Sequence, residues 1–431
     1  MNGKTGTSLS PRRADSPSRA VEAAVAEHWT ALVASLIRVC GGDFQLAEDA
    51  LQEAVISALE HWPDEGTPLR PEAWLFTAAR RKAIDRLRRD QTLARKHDLL
   101  QAMLQHDSGG QDMDPPGDED AQFRDDKLRL IFTCCHPALA LEAQIALTLR
   151  VVCGLGTPEI AHAFLVPTET MAKRLTRARS KIRDARIPYR VPAAHELPAR
   201  LGGVLSVIYL VFNEGYLGAE SATLLRTGLC DEAVRLGRLL ASLMPDEPEV
   251  LGLTALMLLN DSRRGARTDA QGNFQTLEEQ DRSLWDQERI EEGCRLLDRC
   301  SRLRQPGPYQ FQAAIAALHA RPETPEETDW VEIAALYGRL MRLQPTPIVA
   351  LNRAAAVAMA YGYEQGLRLI DQIDAEGSLA GYYLLPAARA DLLRRAGRLR
   401  EAATAYERAL ALCRNQVERA YLERRLREVR G

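Results

Sequence analysis

The sequence predicts an all-α protein, and three observations predict it. Apolar residues recur at helical spacing along most of the chain. No run alternates convincingly as a strand does. Ala, Leu, Arg and Glu, all good helix formers, are abundant. The 431 residues are 46% hydrophobic and 27% charged, a balance that folds and can bury several cores. That length suggests about two to four domains. The net charge of −3 would argue against a nucleic-acid binder if the charges were mixed evenly; they are not.

Residues 1–27 hold Ser10, Pro11, Arg12, Arg13, Ser16, Pro17 and Ser18 without an apolar core, so they read as a disordered tail rather than a signal peptide. No stretch approaches 18 uncharged apolar residues, and no membrane span is expected. Residues 28–96 form a first helical block. Within it Ala47, Ala50, Leu51, Ala54, Val55, Ala58, Leu59 and Trp62 make one apolar stripe. The opposite face carries Glu48, Asp49, Gln52, Glu53 and Glu60, interrupted by Ile56. A loop with Pro63, Gly66 and Pro68 leads to a helix opened by Pro71, with Phe76, Ala79, Ala83 and Leu87 as its buried stripe. Residues 79–96 hold eight bases against two acids, a net of +6. Arginines beside Trp74 and Phe76 suit phosphate neutralisation and base stacking.

Residues 97–126 break the pattern. Eight acids and one base between 107 and 126, with Pro115, Pro116 and several glycines, predict a flexible acidic linker. Residues 127–187 form a second block that reads as helix-turn-helix. Thr157 is placed to cap and Pro158 to open the first helix; Val166 and Pro167 turn the chain; Thr168 is expected to cap the second. Met171, Leu175, Ala178 and Ile182 give that helix its core stripe. Residues 173–190 carry eight bases and one acid, a net of +7. In such a motif the N-terminal residues of the second helix reach base edges, here Thr168, Glu169, Thr170, Lys173 and Arg174, while later arginines hold phosphates.

The eight cysteines include no C-x-x-C pair and no Cys/His group of zinc-finger spacing. Cys134 and Cys135 diverge by about 100° on a helix and make poor joint ligands. They read as buried small residues in a reducing, cytoplasmic setting. No phosphate loop, G-x-S-x-G or H-E-x-x-H is present, and neither a cofactor, a metal nor a catalytic residue is expected. Lone histidines such as His136 and His319 read as structural.

The order of these signals resembles the sigma-70 family of bacterial RNA polymerase sigma factors, in the compact form of its extracytoplasmic-function group. The resemblance covers roughly residues 28–187. It implies that Asp49, Gln52 and Glu53 contact core polymerase through its β and β′ subunits. It implies that Trp74, Arg80, Arg81, Lys82, Arg86, Arg88 and Arg89 engage the −10 element, with loop 62–71 trapping an extruded base. It implies that Thr168, Glu169, Thr170, Lys173, Arg174 and Arg177 meet the −35 element. Met171 stands where the family usually has Val.

Residues 188–431 exceed that family's compact form. Pro188, Pro192 and Pro198 mark the boundary, a helical extension is expected over 188–290, and tetratricopeptide-like repeats over 291–431. Stretches such as Asn213-Glu214-Gly215-Tyr216, Arg267-Thr268-Asp269 and Gly307-Pro308-Tyr309-Gln310 resemble an extracytoplasmic-function subgroup with such an extension. Ala390, Gly397, Ala402, Tyr406 and Ala409 reproduce the small/large rhythm of one 34-residue repeat. Stacked repeats offer a concave surface for a protein or peptide partner. Asp269, Asp281 and Trp285 read as caps and structural polar groups. A protein-binding repeat scaffold, or an enzyme within 188–431, stands as the alternative function.

Overall fold

A computed structural model describes residues 17–101, 119–164, 166–217, 224–269, 273–414 and 416–431. The all-α expectation holds: among the described residues the only extended pairing is one antiparallel bridge, Thr268 to Phe274. The chain divides into two compact units, Met1–Val207 and Ile208–Gly431.

The first unit is built from α1 (Pro17–Val39), α2 (Phe44–Glu65), α3 (Pro71–Gln101), α4 (Glu119–Cys134), α5 (Leu141–Leu147), α6 (Thr157–Ala163) and α7 (Thr168–Asp184), and contains the start of α8 (Leu197–Leu217). α5 runs directly into a π-helical turn, Thr148–Val152. α1 is the central element, packed on α2, α3, α4 and the π turn.

Several boundaries differ from those read in the sequence. α1 starts at Pro17, so residues 17–27 of the expected tail are helical, with Val21 and Ala24 buried; residues 1–16 lie outside the described residues. α3 continues to Gln101 and α4 begins at Glu119, so both ends of the expected linker are helical. Residues 102–118 lie outside the described residues. Asp126 is wholly buried because it has donors there: Ser35 Oγ at 3.1 Å, Arg38 Nε at 3.0 Å and Arg129 Nη1 at 3.2 Å. A carboxylate so matched need not stay in water.

α2 begins where Gly41 and Gly42 take positive φ and Asp43 caps the helix, accepting from the amides of Gln45 and Leu46. Ala47, Ala50, Leu51, Ala54, Ala58 and Trp62 are buried as predicted. Leu59 is not: it lies at the edge of the stripe, beyond the packing against α1 and α3, and is 42% exposed. In α3, Leu75, Ala79 and Ala83 are fully buried, and Phe76 and Leu87 are half-buried. Met171, Leu175, Ala178 and Ile182 of α7 are all buried. Thr168 is the first residue of α7 rather than its cap, because extended Pro167 takes that position and supplies no side-chain bond.

The division between units falls at Val207, after the prolines that suggest a boundary near 188. The reason is packing. Arg200 Nη2 donates to the Phe132 carbonyl at 2.6 Å, and Leu201, Val204 and Leu205 are buried.

The second unit contains α9 (Leu224–Leu243), α10 (Pro248–Asp261), α11 (Gln287–Leu303), α12 (Pro308–Ala320), α13 (Trp330–Leu343), α14 (Pro347–Tyr361), α15 (Tyr363–Glu376), α16 (Leu384–Arg395), α17 (Leu399–Leu412) and α18 (Gln416–Arg430). From α9 onward each helix packs on the next in sequence, and α10 also packs on α12. α10 is buried from Val250 through Leu259. At its last residue, buried Asp261 is held by Arg264 and Arg289. Asp281 caps a short 3-10 turn and Asp269 receives Asn273, the structural roles expected of them. Gly366 of α15 lies so close to α14 that a Cβ would stand 2.3 Å from that of Ala358. Two ion pairs then recur at a 34-residue separation: Glu364 with Arg398 at 3.0 Å, and Asp374 with Arg408 at 2.7 Å.

Candidate polymerase and nucleic-acid interface

The candidate site lies on three helices of the first unit. The edge of Trp62, almost fully buried, meets Trp74 with ring centroids 5.6 Å apart at 74°. This packing fixes the α2–α3 corner. Gly66, at φ 86°, ends α2, and the loop that follows presents Leu69, fully exposed, and Arg70. Trp74 is therefore half-buried against a partner ring rather than freely projecting.

α3 separates its bases into two sets. Arg80, Arg81, Arg88 and Arg89 are exposed. Lys82 and Arg86 turn toward α2. Lys82 Nζ lies 3.9 Å from Glu53, and Arg86 pairs with both Asp49, at 3.3 Å, and Glu53. Residues expected to serve two different partners, polymerase and −10 DNA, thus form one network. Gln52 is exposed beside it, as is Ile56 at 55%.

On α7, Thr168, Glu169, Thr170, Lys173 and Arg177 are exposed and Arg174 is half-buried. Lys173 pairs with Glu169 one turn away at 2.6 Å. Farther along, Arg179 turns inward. Its guanidinium donates to Gln45 at 2.8 Å and to Glu48 at 2.6 Å. Arg150, on the π turn, reaches the other Glu48 oxygen at 3.2 Å. Glu48 is only 2% exposed.

Arg150 is a site-proximal residue that sequence reasoning misses, while Glu48 and Arg179, which it reads as outward-facing, pair with each other instead. Helical spacing puts Glu48 on the solvated face of α2; it lies one residue from Ala47, at the stripe's edge, where a second bundle covers it. The nearest sequence signal for Arg179 is the basic run that contains it, and Arg150 carries none. The same region includes Trp29 Nε1 donating to the Val151 carbonyl at 3.0 Å and Thr30 Oγ1 to that of Val152 at 2.8 Å. Carbonyls at the end of a helix need such outside donors.

The eight cysteines form no disulfide. All eight are free thiols, and burial pushes Cys135 up to about 11 and Cys134 well above its usual value. No group of three or more potential metal ligands gathers among the described residues.

Comparison with known proteins locates these helices in recognised domains. A family model for sigma-70 region 2 matches residues 25–92, which contain α2 and most of α3. A model for sigma-70 region 4 matches residues 129–182, which contain α6 and most of α7. A family of unknown function matches residues 200–301. An uncharacterized protein of Rhizobium meliloti (strain 1021) is 47% identical over 386 residues, spanning 89% of this chain and 90% of that protein. The two basic helices lie in the two recognised blocks, in the order the family requires, and the chain belongs to the sigma-70 family of RNA polymerase sigma factors.

Proposed function

We propose that this chain is a sigma factor of the extracytoplasmic-function type that directs core polymerase to promoters with −35 and −10 elements. The observation that carries the reading is the pairing of two exposed basic surfaces, one on each sigma-70 block. Arg80, Arg81, Arg88 and Arg89 would neutralise phosphates around the −10 element while Trp74, Lys82 and Arg86 complete that surface. The exposed N-terminal half of α7, from Thr168 to Arg177, would enter the −35 major groove. Asp49, Gln52 and Glu53 on α2, with exposed Ile56 among them, would meet the β and β′ subunits. The polymerase performs the chemistry, so this reading needs no catalytic residue or cofactor in the chain. It places the protein in the cytoplasm, where polymerase and chromosome are.

In the same reading the second unit is a tetratricopeptide-like regulatory module that takes a protein or peptide partner. Supporting this are its sequential helix packing and the two ion pairs at 34-residue separation, the length of one such repeat. The test is transcription reconstituted from the full chain, cognate core polymerase and a genomic promoter library. Defined start sites dependent on the chain support the proposal. Their absence, where a control sigma factor initiates, would defeat it.

A further inference from the structure

The connection between α10 and α11 is fixed at both ends within the second unit. Arg267 donates to the Tyr216 carbonyl and lies over that ring at 4.0 Å. Trp285 is buried against Ala255, Ile290 and Ala313. Arg282 donates to the carbonyls of His319, at 3.0 Å, and Pro322, at 2.7 Å. Between these ends Leu277 packs on the same core, and the Glu279 carboxylate accepts from the Thr276 amide at 3.1 Å and hydroxyl at 2.9 Å, closing a turn.

That turn lies against the far end of the helical array. Glu278 accepts from Arg395, the last residue of α16, at 2.6 Å and 117 residues away in sequence. Glu279 receives Arg424 at 3.1 Å and Arg425 at 2.9 Å, both from α18. Phe274 meets Tyr421 edge-on, with ring centroids 5.8 Å apart at 83°. The guanidinium carbons of Arg424 and Arg425 each lie 5.3 Å from the Tyr421 ring centre. Two of these cations are positioned without help from the turn. Arg395 Nε donates to Asp391 at 2.7 Å, and Arg425 donates to the Tyr421 hydroxyl at 3.1 Å and to Glu428 at 2.8 Å. The surface is therefore preorganised, while what covers it is held lightly. The Glu278 side chain is 43% exposed and that of Arg424 37%, and ion pairs so open to water are individually weak.

We propose that Tyr421, Arg424 and Arg425 of α18, with Arg395 of α16, form a docking site for an acidic peptide segment of a partner protein, and that residues 274–279 are its internal occupant. The occupant gives the pattern the partner must carry: an aromatic residue followed four and five positions later by carboxylates, as Phe274 is by Glu278 and Glu279. Three guanidiniums select anions, and the Tyr421 ring selects a second ring. The inference rests on reading the second unit as a partner-binding module and does not depend on promoter recognition. An occupant tethered in the same chain competes at an effective concentration on the order of millimolar. A partner segment gains the site as the turn is displaced from it.

The experiment uses the full chain, without polymerase, and a fluorescein-labelled peptide of residues 273–281 followed by anisotropy. Replacing the occupant's charges by Glu278→Gln with Glu279→Gln should tighten peptide binding at least about tenfold over the wild type. Added salt should weaken that binding. Adding Arg424→Ala with Arg425→Ala should abolish the gain, and a peptide of the same composition in scrambled order should not show it. Equal affinity of the glutamine variant and the wild type, binding to neither, or equal binding of the scrambled peptide overturns the proposal. Binding that survives the arginine changes also overturns it, but spares the module reading by placing the peptide on another face. If circular dichroism shows the glutamine variant unfolded, the wild type decides. Excess peptide should then speed amide exchange across residues 275–280 several-fold, and unchanged exchange overturns the site. A failure to initiate transcription bears on the sigma-factor reading alone.

Discussion

Arg86 illustrates how one side chain can belong to two surfaces. Its place in the basic run points to −10 DNA, yet in the free chain it pairs with Asp49 and Glu53. All three side chains are more than a third exposed, so the pairing contributes on the order of 1 kcal/mol or less to stability. Under the proposed −10 role of Arg86, the pairing would also occupy a cation that DNA would otherwise draw. Glu53→Gln should therefore strengthen binding of single-stranded DNA by the free chain a few-fold at low salt, read by fluorescence anisotropy. Adding Arg86→Ala should remove the gain. His319 is a second residue with a consequence. Burial, with Arg263 and Arg282 nearby, pushes it down from 6.5 to about 4. The folded state thus disfavours the proton that the unfolded chain accepts. Stability from this group is complete above about pH 6.5 and declines as the pH falls toward 4, by on the order of 3 kcal/mol. Trp330 packs edge-on to the His319 ring at 5.2 Å. Its fluorescence in urea titrations at pH 7 and pH 4.5 should report the loss, and His319→Phe should flatten it.

The helices themselves are legible in the sequence because their signals are local. Spacing alone places the stripe from Met171 to Ile182 and most of that from Ala47 to Trp62, and the residues so placed are buried. Charge runs place two sets of basic side chains on α3 and α7, and most of those side chains are exposed. What spacing does not supply is which surface of another helix lies across from a given residue. It puts Leu59 inside, and Leu59 is outside; it puts Glu48 outside, and Glu48 is inside. Both errors arise at the margin of a stripe, where the answer depends on the width of the neighbouring bundle. Asp126 is the same case in an acidic run: composition reads it as solvated, whereas three donors from α1 and α4 bury it. The α14–α15 pair offers a test at this scale. Gly366 permits an approach in which any Cβ would meet Ala358 at 2.3 Å and the Ala354 carbonyl at 2.8 Å. Gly366→Ala should destabilise the second unit by about 1–3 kcal/mol, despite alanine's better helix propensity. A lowered denaturation midpoint would show it; a raised one would mean that the helices part easily.

At the scale of the molecule, a net charge of −3 conceals its own distribution. The +6 of residues 79–96 and the +7 of residues 173–190 are offset by the acids of residues 107–126. Salt dependence, rather than affinity alone, is the measurement suited to such a protein. Every phosphate that the protein ceases to neutralise should reduce the slope of log K against log salt by about 0.9. Replacing Arg80, Arg81 and Arg89 together with alanine should flatten promoter binding by the holoenzyme by up to roughly three such steps, with the same promoter preference. A shifted preference would place these arginines on bases instead. The division at Val207 also governs where the chain can be cut. Removal from residue 188 would take away Arg200, Leu201 and Val204 from the unit they help to complete, so loss of activity in that truncation would not isolate the second unit's role.

The ion pairs of the second unit carry a consequence for how such a stack can grow. Glu364 and Asp374 are acidic, and the positions 34 residues later are Arg398 and Arg408. The charge reverses between these positions 34 residues apart. A tandem duplication of either 34-residue segment would set carboxylate against carboxylate, or guanidinium against guanidinium, at both places. Both pairs are substantially exposed, so each such mismatch would disfavour a duplicated copy only slightly.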